Sequence, residues 1–266
     1  MTGIAVAGAA GRMGQALISA VSGNSDLELT HVFERPGHAL LGTDAGVLVG
    51  ADPMGIPLTD AIGSQDFDLL IDFTSPIATM AHLVYCQSQS KRMVIGTTGI
   101  DVSYRSKIAF TAGNIGIVMA PNMSIGINLM LKLIELAART LGDTADIEII
   151  EAHHRQKIDA PSGTALLMGK VAADVLERDL ITDGVYSRHG QIGERGTKTI
   201  GFSTIRAGDM VGEHSVWFVS SGERVEISHK ATSRAIYAAG AVRAALWLVG
   251  RPNGLYDMQD VLGFSD

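Results

Sequence analysis

The chain has 266 residues, long enough for one large domain or two modest domains with a buried core. Its hydrophobic content of 46% and charged content of 18% are typical of a folded protein rather than a disordered one. The formal net charge of −7 argues against nucleic acid as the main partner, because neutralising phosphates requires clustered Lys and Arg. It still permits a local cationic pocket for a small anion.

Three features of the sequence bear on its location. Cys86 is the single cysteine, which rules out an intramolecular disulfide and fits a reducing compartment. The N-terminal segment has no basic residue before its apolar run, unlike a signal peptide. The most apolar long stretch, residues 113–133, contains Pro121 and three asparagines, which argues against a membrane span. We therefore expect a cytoplasmic protein without a membrane partner.

The first half of the chain alternates short apolar strands with helical patterns. The strands are predicted at residues 3–8, 27–34, 68–73, 92–96 and 115–121, and the helices at 12–21, 77–89 and 101–112. This alternation predicts a parallel sheet covered by helices on both faces. The loop from Arg35 to Asp66 is rich in Gly and Pro, and only a weak strand is predicted there, near "GVLVG" at residues 46–50.

The second half has a different pattern. A helix is predicted at residues 124–140, a strand at 146–153, a helix at 162–178 and three successive strands at 197–206, 213–220 and 223–230. Strands in succession indicate an antiparallel or mixed sheet, and hence a separate α+β unit. A strongly periodic amphipathic helix is predicted at residues 233–250, ended by "RPNG".

A glycine-rich turn, "VAGAAGRMG", follows the first strand and opens the first helix, as a dinucleotide-binding fingerprint requires. Its spacing, G-x-x-G-x-x-G, is a variant of G-x-G-x-x-G. Gly8 would permit the tight turn, Gly11 would let backbone approach a pyrophosphate, and Gly14 would allow close packing of helix on strand. The helix N-terminus would face the phosphates. An ordinary turn that happens to use glycine is the alternative.

Two charged residues at the end of the second strand favour the dinucleotide interpretation. Glu34 lies about 20 residues beyond Gly14, where an acid accepts hydrogen bonds from the adenosine ribose. Arg35 comes next, and its guanidinium could pair with a 2′-phosphate. The sequence therefore predicts a nicotinamide dinucleotide site.

The segment "EAHHRQKIDAPSGTA", residues 151–165, gathers charged side chains before a small neutral turn. Strand alternation sends His153 and His154 to opposite sides. A zinc site needs three or four converging ligands, and neither H-E-x-x-H nor a cysteine pair is present, so we expect no metal.

The neutral part of this segment predicts a helix start that binds an anion. Ser162 can cap the helix, while Gly163 and Thr164 leave first-turn N–H groups unobstructed for a group such as a carboxylate. Lys157 and one or both histidines would stand beside it as cation and proton donors. An ordinary capped helix after a solvated loop would explain the cap but not the preceding cations.

Taken together, several segments resemble the dihydrodipicolinate reductase family, also called 4-hydroxy-tetrahydrodipicolinate reductases, of lysine and diaminopimelate biosynthesis. They are "VAGAAGRMG", "IDFTSP", "IGTTG", "APNMSIGIN", "EAHHRQKIDAPSGTA" and "SHKATSR". They cover nearly the whole chain in order, and the long charged segment is very specific to that family. Met123, where relatives often have Phe or Tyr, is a conservative exception.

The resemblance implies a fold and an assembly. A Rossmann-like dinucleotide-binding domain would comprise residues 1–123 plus 235–266, since the last helix returns to the first domain. A second α+β domain, residues 124–234, would bind substrate and form a homotetramer.

The resemblance also implies a cofactor site, for NADH or NADPH. The glycine turn with Glu34 and Arg35 would hold the adenosine end, and the segments "IGTTG" and "APNM" would line the nicotinamide. The residues are Gly8, Ala9, Ala10, Gly11, Arg12, Met13, Glu34, Arg35, Gly96, Thr97, Thr98, Ala120, Pro121, Asn122 and Met123.

The implied reaction is the reduction of a cyclic unsaturated imine dicarboxylate to tetrahydrodipicolinate. His153 would be the proton donor and acceptor, and Lys157 the proton donor. The residues that would bind the substrate are His154, Ser162, Gly163 and Thr164. The residue-level interpretation agrees, because two carboxylates need N–H groups and cations, and a hydride acceptor that gains electron density needs a nearby acid.

Three other functions compete. A semialdehyde dehydrogenase would need a cysteine nucleophile, but Cys86 lies inside a helical segment and is expected to pack in the core. Sugar dehydrogenases of similar architecture usually carry Glu-Lys-Pro where this chain has "IGTTG". A non-catalytic NAD(P) sensor would bind cofactor but would not need the histidines and lysine of the charged segment.

Overall fold

A computed structural model describes residues 1–62 and 66–264. The chain divides into two compact units: Met1–Ile125 with Arg234–Asp266, and Gly126–Ser233. Residues 63–65 of the predicted 35–66 loop and residues 265–266 of the predicted first domain lie outside the described residues.

The described segments form strands and helices in regular alternation. The strands are β1 (Thr2–Ala7), β2 (Leu27–Phe33), β3 (Leu58–Thr59), β4 (Leu69–Asp72), β5 (Arg92–Ile95), β6 (Gly116–Met119), β7 (Asp146–His153), β8 (Gly184–Val185), β9 (Ile200–Arg206), β10 (Gly212–Ser220), β11 (Glu223–Ala231) and β12 (Gly254–Tyr256). The helices are α1 (Arg12–Ser22), α2 (Ala45–Leu48), α3 (Pro76–Ser88), α4 (Val102–Thr111), α5 (Ile125–Leu141), α6 (Gly163–Val175), α7 (Leu180–Asp183), α8 (Ala235–Leu248) and α9 (Met258–Leu262).

The first unit contains a seven-stranded sheet in the order β12-β6-β5-β4-β1-β2-β3, with every paired strand parallel. Alternate residues of β1 enter two cores: Ile4 and Val6 pack with α1 and α8, whereas Ala5 and Ala7 pack with α3 and α4. The predicted parallel sheet with helices on both faces is therefore confirmed.

The strand order of this sheet reverses between β1 and β4. The chain runs from β1 outward through β2 and β3, then crosses to the other side of β1 for β4 and the strands beyond it. In open α/β sheets, ligands bind beyond the carboxyl ends of the strands at this switch point. Gly8 follows β1 there, and Phe73 and Thr74 follow β4.

The second unit contains a five-stranded mixed sheet in the order β11-β10-β7-β9-β8. β10 is antiparallel to both β7 and β11, whereas β7 and β8 are each parallel to β9. Helices α5 and α6 pack on one face through a core that includes Ile134, Met168, Ile149 and Phe218. The predicted α+β unit with a mixed sheet is thus confirmed.

One prediction of secondary structure is wrong, and the helix predicted at residues 233–250 is present as α8 but differs in character. "GVLVG" lies in and just beyond α2 rather than in a strand. The Asp44 carboxylate caps this helix and also accepts hydrogen bonds from the N–H groups of Met54 and Ile56, so the chain turns back toward Asp44 instead of extending. α8 is not a one-faced amphipathic helix: Gly240, Ala241 and Val242 are buried in succession. The short elements β3, α7, β8, β12 and α9 were not predicted.

Candidate active site

The turn after β1 has a shape that requires glycine at two positions. Gly8 has a φ of +66°, in the left-handed region that L side chains rarely adopt. A Cβ at Gly14 would lie 2.2 Å from the carbonyl oxygen of Gly8, so α1 packs too closely on the turn to admit a side chain. Gly11 precedes α1 and provides no side-chain cap for its first N–H groups. These groups suit an anion such as a pyrophosphate.

The other predicted residues of this turn differ in exposure. Ala9 is fully buried and donates its N–H to the carbonyl oxygen of Phe33 at the end of β2, so neither its side chain nor this N–H faces a ligand. Ala10 and Met13 are half-buried against the core, whereas Arg12 and Gly11 are exposed. The exposed part of the turn therefore comprises Gly11 and Arg12.

Glu34 and Arg35 follow β2, the strand next to β1. Glu34 donates its backbone N–H to Thr59 at 2.9 Å, and its carboxylate accepts the backbone N–H of Arg35 at 3.0 Å. The Glu34 side chain is half-buried and Arg35 is exposed. An anchored acid beside an exposed guanidinium fits both a free ribose hydroxyl and a ribose phosphate.

A buried acid that the sequence analysis left without a role organises the loops after β4 and β5. Asp72 ends β4 and is fully buried. Its carboxylate accepts hydrogen bonds from the N–H of Thr74 at 2.9 Å and the hydroxyls of Thr74 and Thr97 at 2.6 and 3.3 Å, and it lies 2.8 Å from Nδ1 of His82. Thr79 also donates to Thr97. An acid ending an apolar strand is the sequence signal for this network.

Four of the predicted nicotinamide-lining residues share one cleft of about 410 Å³: Thr97, Thr98, Ala120 and Pro121. The cleft also has walls that were not predicted, from Tyr256 at the end of β12 and Asp257 just after it. The other three predicted residues are not part of its lining. Of these, Met123 is buried, and the Asn122 side chain accepts the N–H of Ser124. Gly96 donates its N–H to the backbone carbonyl of Asp72.

In the second unit, several polar side chains lie on the same face of the mixed sheet as its apolar core. Glu151 is paired in register with Thr204 of β9 and with His214 of β10, and His153 is paired with Arg206. In-register neighbours project from the same face of a sheet. Residues far apart in sequence therefore meet at the carboxyl end of β7.

Glu151 lies at the centre of this group and is 1% exposed. Its Oε2 lies 2.6 Å from Nδ1 of His153 and accepts a hydrogen bond from Arg206 at 2.8 Å. Its Oε1 accepts from Arg206 at 2.8 Å, from the backbone N–H of Ser162 at 3.0 Å and from Thr204 at 3.3 Å. One carboxylate thus contacts the predicted proton donor and the start of α6.

Burial and charge set the ionisation of this group. Burial raises the pKa of Glu151, but hydrogen bonds from His153 and Arg206 outweigh it and hold the pKa at about 2. Glu151 is therefore an anion that only accepts, so Nδ1 of His153 carries the shared proton. Burial, with repulsion from His153, lowers the pKa of His214 to about 4, so this ring is neutral.

The N-terminus of α6 is capped on one side and open on the other. The Ser162 hydroxyl accepts the N–H of Ala165 at 3.1 Å and lies 3.0 Å from Nε2 of His214. Ser162 itself is 2% exposed. Gly163 is exposed, and a Cβ added there would meet no atom within 4 Å. Thr164, next along the helix, is half-buried.

The loop between β7 and α6 carries the predicted cations. Lys157 Nζ lies 2.8 Å from the Asp159 carboxylate, which lowers the pKa of Asp159. The backbone N–H of Lys157 donates to His154 O at 3.1 Å, and His154 donates its own N–H to Met210 at 2.8 Å. Nδ1 of His154 is buried without a hydrogen-bond partner among the described residues.

Three further features bear on function. Cys86 is buried, and burial raises its pKa to about 12, so it is not a nucleophile. Within residues 1–62 and 66–264, no three His, Cys, Asp or Glu side chains converge as a metal site would require. Across the same ranges, no helix combines the length and apolar character that crossing a bilayer demands.

A parallel sheet, a glycine turn at its switch point and an acid after the second strand define a dinucleotide-binding protein that uses NADH or NADPH. Two family models match the chain: "Dihydrodipicolinate reductase, N-terminus" over residues 2–123 and "Dihydrodipicolinate reductase, C-terminus" over residues 126–262. The chain belongs to the dihydrodipicolinate reductase family, which confirms the resemblance seen in the motifs. Its activity is the NAD(P)H-dependent 4-hydroxy-tetrahydrodipicolinate reductase reaction of diaminopimelate and lysine biosynthesis.

Solved structures agree with this family. A dipicolinate-bound dihydrodipicolinate reductase from Paenisporosarcina sp. TG-14 is 26% identical, with a TM-score of 0.78 and 98% of each chain covered. A probable dehydrogenase from Thermotoga maritima, 10% identical, has a TM-score of 0.62 over 97% of this chain and 92% of that one. An amine dehydrogenase from Mycobacterium smegmatis, 9% identical, has a TM-score of 0.59 over 96% and 94%. The last two show a shared fold alone.

Proposed function

We propose that His153 and Lys157 supply the proton that follows hydride transfer in the reduction, beside the start of α6, which binds substrate carboxylates. The observation that carries this proposal is the shared carboxylate of Glu151. Its two oxygens contact His153 and the N–H of Ser162, so the imidazole and the start of α6 lie within one carboxylate group of each other. A proton donor beside an anion-binding turn is the arrangement that reduction of an imine dicarboxylate requires.

The substrate would bind through the open side of α6. The first-turn N–H groups at Gly163 and Thr164 carry the positive end of the helix dipole, and His154 adds a second donor for a carboxylate. Ser162 was predicted to contact the substrate, but its N–H donates to Glu151 and its hydroxyl caps the helix. We therefore assign Ser162 to holding the turn. A dipicolinate-bound relative supports a dicarboxylate as the ligand.

The proton steps follow from the charge that develops on the substrate. When bound, NADH or NADPH would supply a hydride to the conjugated imine, so electron density would build at the ring nitrogen. Because the Nδ1 proton is held by Glu151, His153 can donate a proton only from Nε2, as the doubly protonated imidazolium. Lys157 carries protons at Nζ, which donates hydrogen bonds to the Asp159 carboxylate. Either group can meet the developing charge.

The cofactor would be held by the residues of the first unit. The exposed N-terminus of α1 suits the pyrophosphate, Glu34 suits the ribose, and the cleft lined by Thr97 and Ala120 suits the nicotinamide. These residues support the proposal by offering a candidate contact for each part of a dinucleotide.

A matched pair of lysine variants tests the proposal. Lys157→Ala should lower turnover by about 10²–10⁴-fold, the usual contribution of a positioned general acid. Lys170→Ala is the control, because Lys170 pairs with Asp174 at the same 2.8 Å in the same unit. Oxidation of NADH is followed with the imine made in situ by the preceding synthase. Near-normal turnover in Lys157→Ala at saturating substrate would remove Lys157 from the chemistry.

We further propose a cytoplasmic homotetramer formed through the second unit. The face of its sheet away from α5 and α6 is incompletely covered: Trp217 and Ile150 are half-exposed there, and most of β11 is exposed. Light scattering after size-exclusion chromatography should give four times the chain mass of 28.0 kDa. A single-chain mass would contradict the tetramer.

A further inference from the structure

The environment of Glu151 assigns it more than a structural role. A buried carboxylate is costly unless it is fully hydrogen-bonded, and here five hydrogen bonds reach its two oxygens from three parts of the unit. Arg206 forms a bidentate ion pair with the Glu151 carboxylate, which keeps the carboxylate ionised and fixes its orientation. The remaining bonds go to His153 of β7, the start of α6 and Thr204 of β9.

The other ring nitrogen of His153 is placed differently. Nε2 has no hydrogen-bond partner within the described part of the chain, and a Cβ at Gly212 would come within 3.1 Å of it. Gly212 begins β10, so bare backbone lies beside Nε2. One nitrogen is thus anchored and the other is left for proton transfer.

We propose that Glu151 is a positioning residue of the reaction: it orients His153 so that Nε2 transfers the proton, and it ties that ring to the carboxylate-binding start of α6. This inference rests on the proposed function, because it presumes that His153 donates the proton. Glu151 does not touch the substrate and acts through His153 and Ser162.

Glu151→Gln tests this role, because the amide keeps the size but replaces one accepting oxygen with a donor. The amide can offer its N–H to Nδ1, which leaves His153 neutral with its one proton on Nε2, and a neutral imidazole does not act as an acid there. We expect turnover to fall by about 10²-fold or more, with the affinity for NADH unchanged. Nitrogen-15 NMR should show the proton of His153 on Nδ1 in the wild type and displaced from it in the variant.

Glu148→Gln is the matched control. Glu148 lies on the same strand but on the other face, and it is likewise held by arginines, Arg188 and Arg195. This variant should keep both turnover and the His153 tautomer. If Glu151→Gln does not fold, Glu151→Asp preserves the charge but shortens the reach, and it should lower turnover while keeping the NADH affinity.

The outcomes separate this inference from the proposed function. If His153→Ala turns over slowly but a folded Glu151→Gln or Glu151→Asp variant turns over at the wild-type rate, the positioning role is overturned. In that case the proton of His153 should also remain on Nδ1. Fast turnover in His153→Ala would instead overturn the proposed function. If Glu151→Gln and Glu148→Gln lose turnover equally, the cause is a general effect of breaking ion pairs. That result would also contradict the positioning role.

Discussion

At the scale of single residues, two glycines near helix starts differ in what surrounds them. A Cβ at Gly14 would collide with the backbone of Gly8, whereas a Cβ at Gly163 would enter open space. The first glycine is required by packing. The second leaves room beside N–H groups, as a ligand site does.

Substitutions at these glycines should therefore fail in different ways. Gly14→Ala should lower stability and weaken NADH binding, because either the turn or α1 must shift. Gly163→Val should fold normally and keep its NADH affinity, but it should raise the Michaelis constant for the imine by obstructing the first turn of α6. Thermal melts, NADH titration and steady-state kinetics separate the two. Parallel loss of NADH binding in Gly163→Val would indicate general damage.

Arg35 provides a test of cofactor choice. Its guanidinium is exposed beside Glu34, so a 2′-phosphate can reach it, while Glu34 suits a free hydroxyl. Both cofactors should be used with a modest difference. Arg35→Ala should weaken NADPH binding far more than NADH binding in parallel titrations. An equal loss for both would show that Arg35 does not contact the phosphate.

Residues adjacent in sequence could be predicted as a site, but their distant partners could not. His153, Lys157 and Gly163 lie within one short segment whose composition indicates chemistry. Arg206 and His214 reach Glu151 and Ser162 from β9 and β10, 55 and 52 positions away. No local pattern encodes such a contact, because it depends on the order and register of the strands.

At the scale of elements, the N-terminus of α6 combines a stabilising cap with a binding surface. Ser162 caps it, as Ser75 caps α3 in the first unit. Ser162→Ala should cost ~1 kcal/mol or more in urea unfolding, since caps contribute about 0.5–2 kcal/mol and the contact with His214 is lost as well. It should also raise the Michaelis constant for the imine. Ser75→Ala, the control, should lower the free energy of unfolding without raising the Michaelis constant for the imine. An equal rise in both variants would contradict a special role for Ser162.

Element prediction succeeded where a segment was long enough to show its periodicity. β7 is predicted with its observed bounds because its residues alternate over a full strand. β3, β8 and β12 have only two or three residues and are held by neighbouring strands rather than by their own pattern. Around α2, the Asp44 carboxylate caps the helix and also accepts the N–H of Met54, and these bonds overrode the β-propensity of Val47 and Val49.

At the scale of the whole molecule, buried ionisable groups make stability depend on pH. His214 has a folded pKa of about 4, below its ordinary value of 6.5, so its contribution is fully present above pH 6.5 and is lost as the pH falls toward 4. Glu151 has a folded pKa of about 2, below its ordinary 4.5, so its contribution is present above pH 4.5 and is lost as the pH falls toward 2.

The second unit should therefore lose up to ~3 kcal/mol of stability through His214 between pH 6.5 and 4. Denaturant unfolding can be followed by Trp217 fluorescence in a Trp247→Phe background, because Trp217 lies in the second unit and Trp247 in the first. His214→Asn should flatten this part of the pH profile. An identical slope in the variant would show that His214 is not the group responsible.

The most direct test of the central claim is the single-turnover rate of NADH oxidation by His153→Ala, with NADH and the imine both saturating. The claim is that a histidine anchored by Glu151 donates a proton beside the carboxylate-binding turn. The rate should fall by about 10²–10⁴-fold, while NADH binds as tightly as in the wild type. If His153 and Lys157 act as one unit, the double variant should be little slower than either single variant. A wild-type rate in His153→Ala would contradict the account.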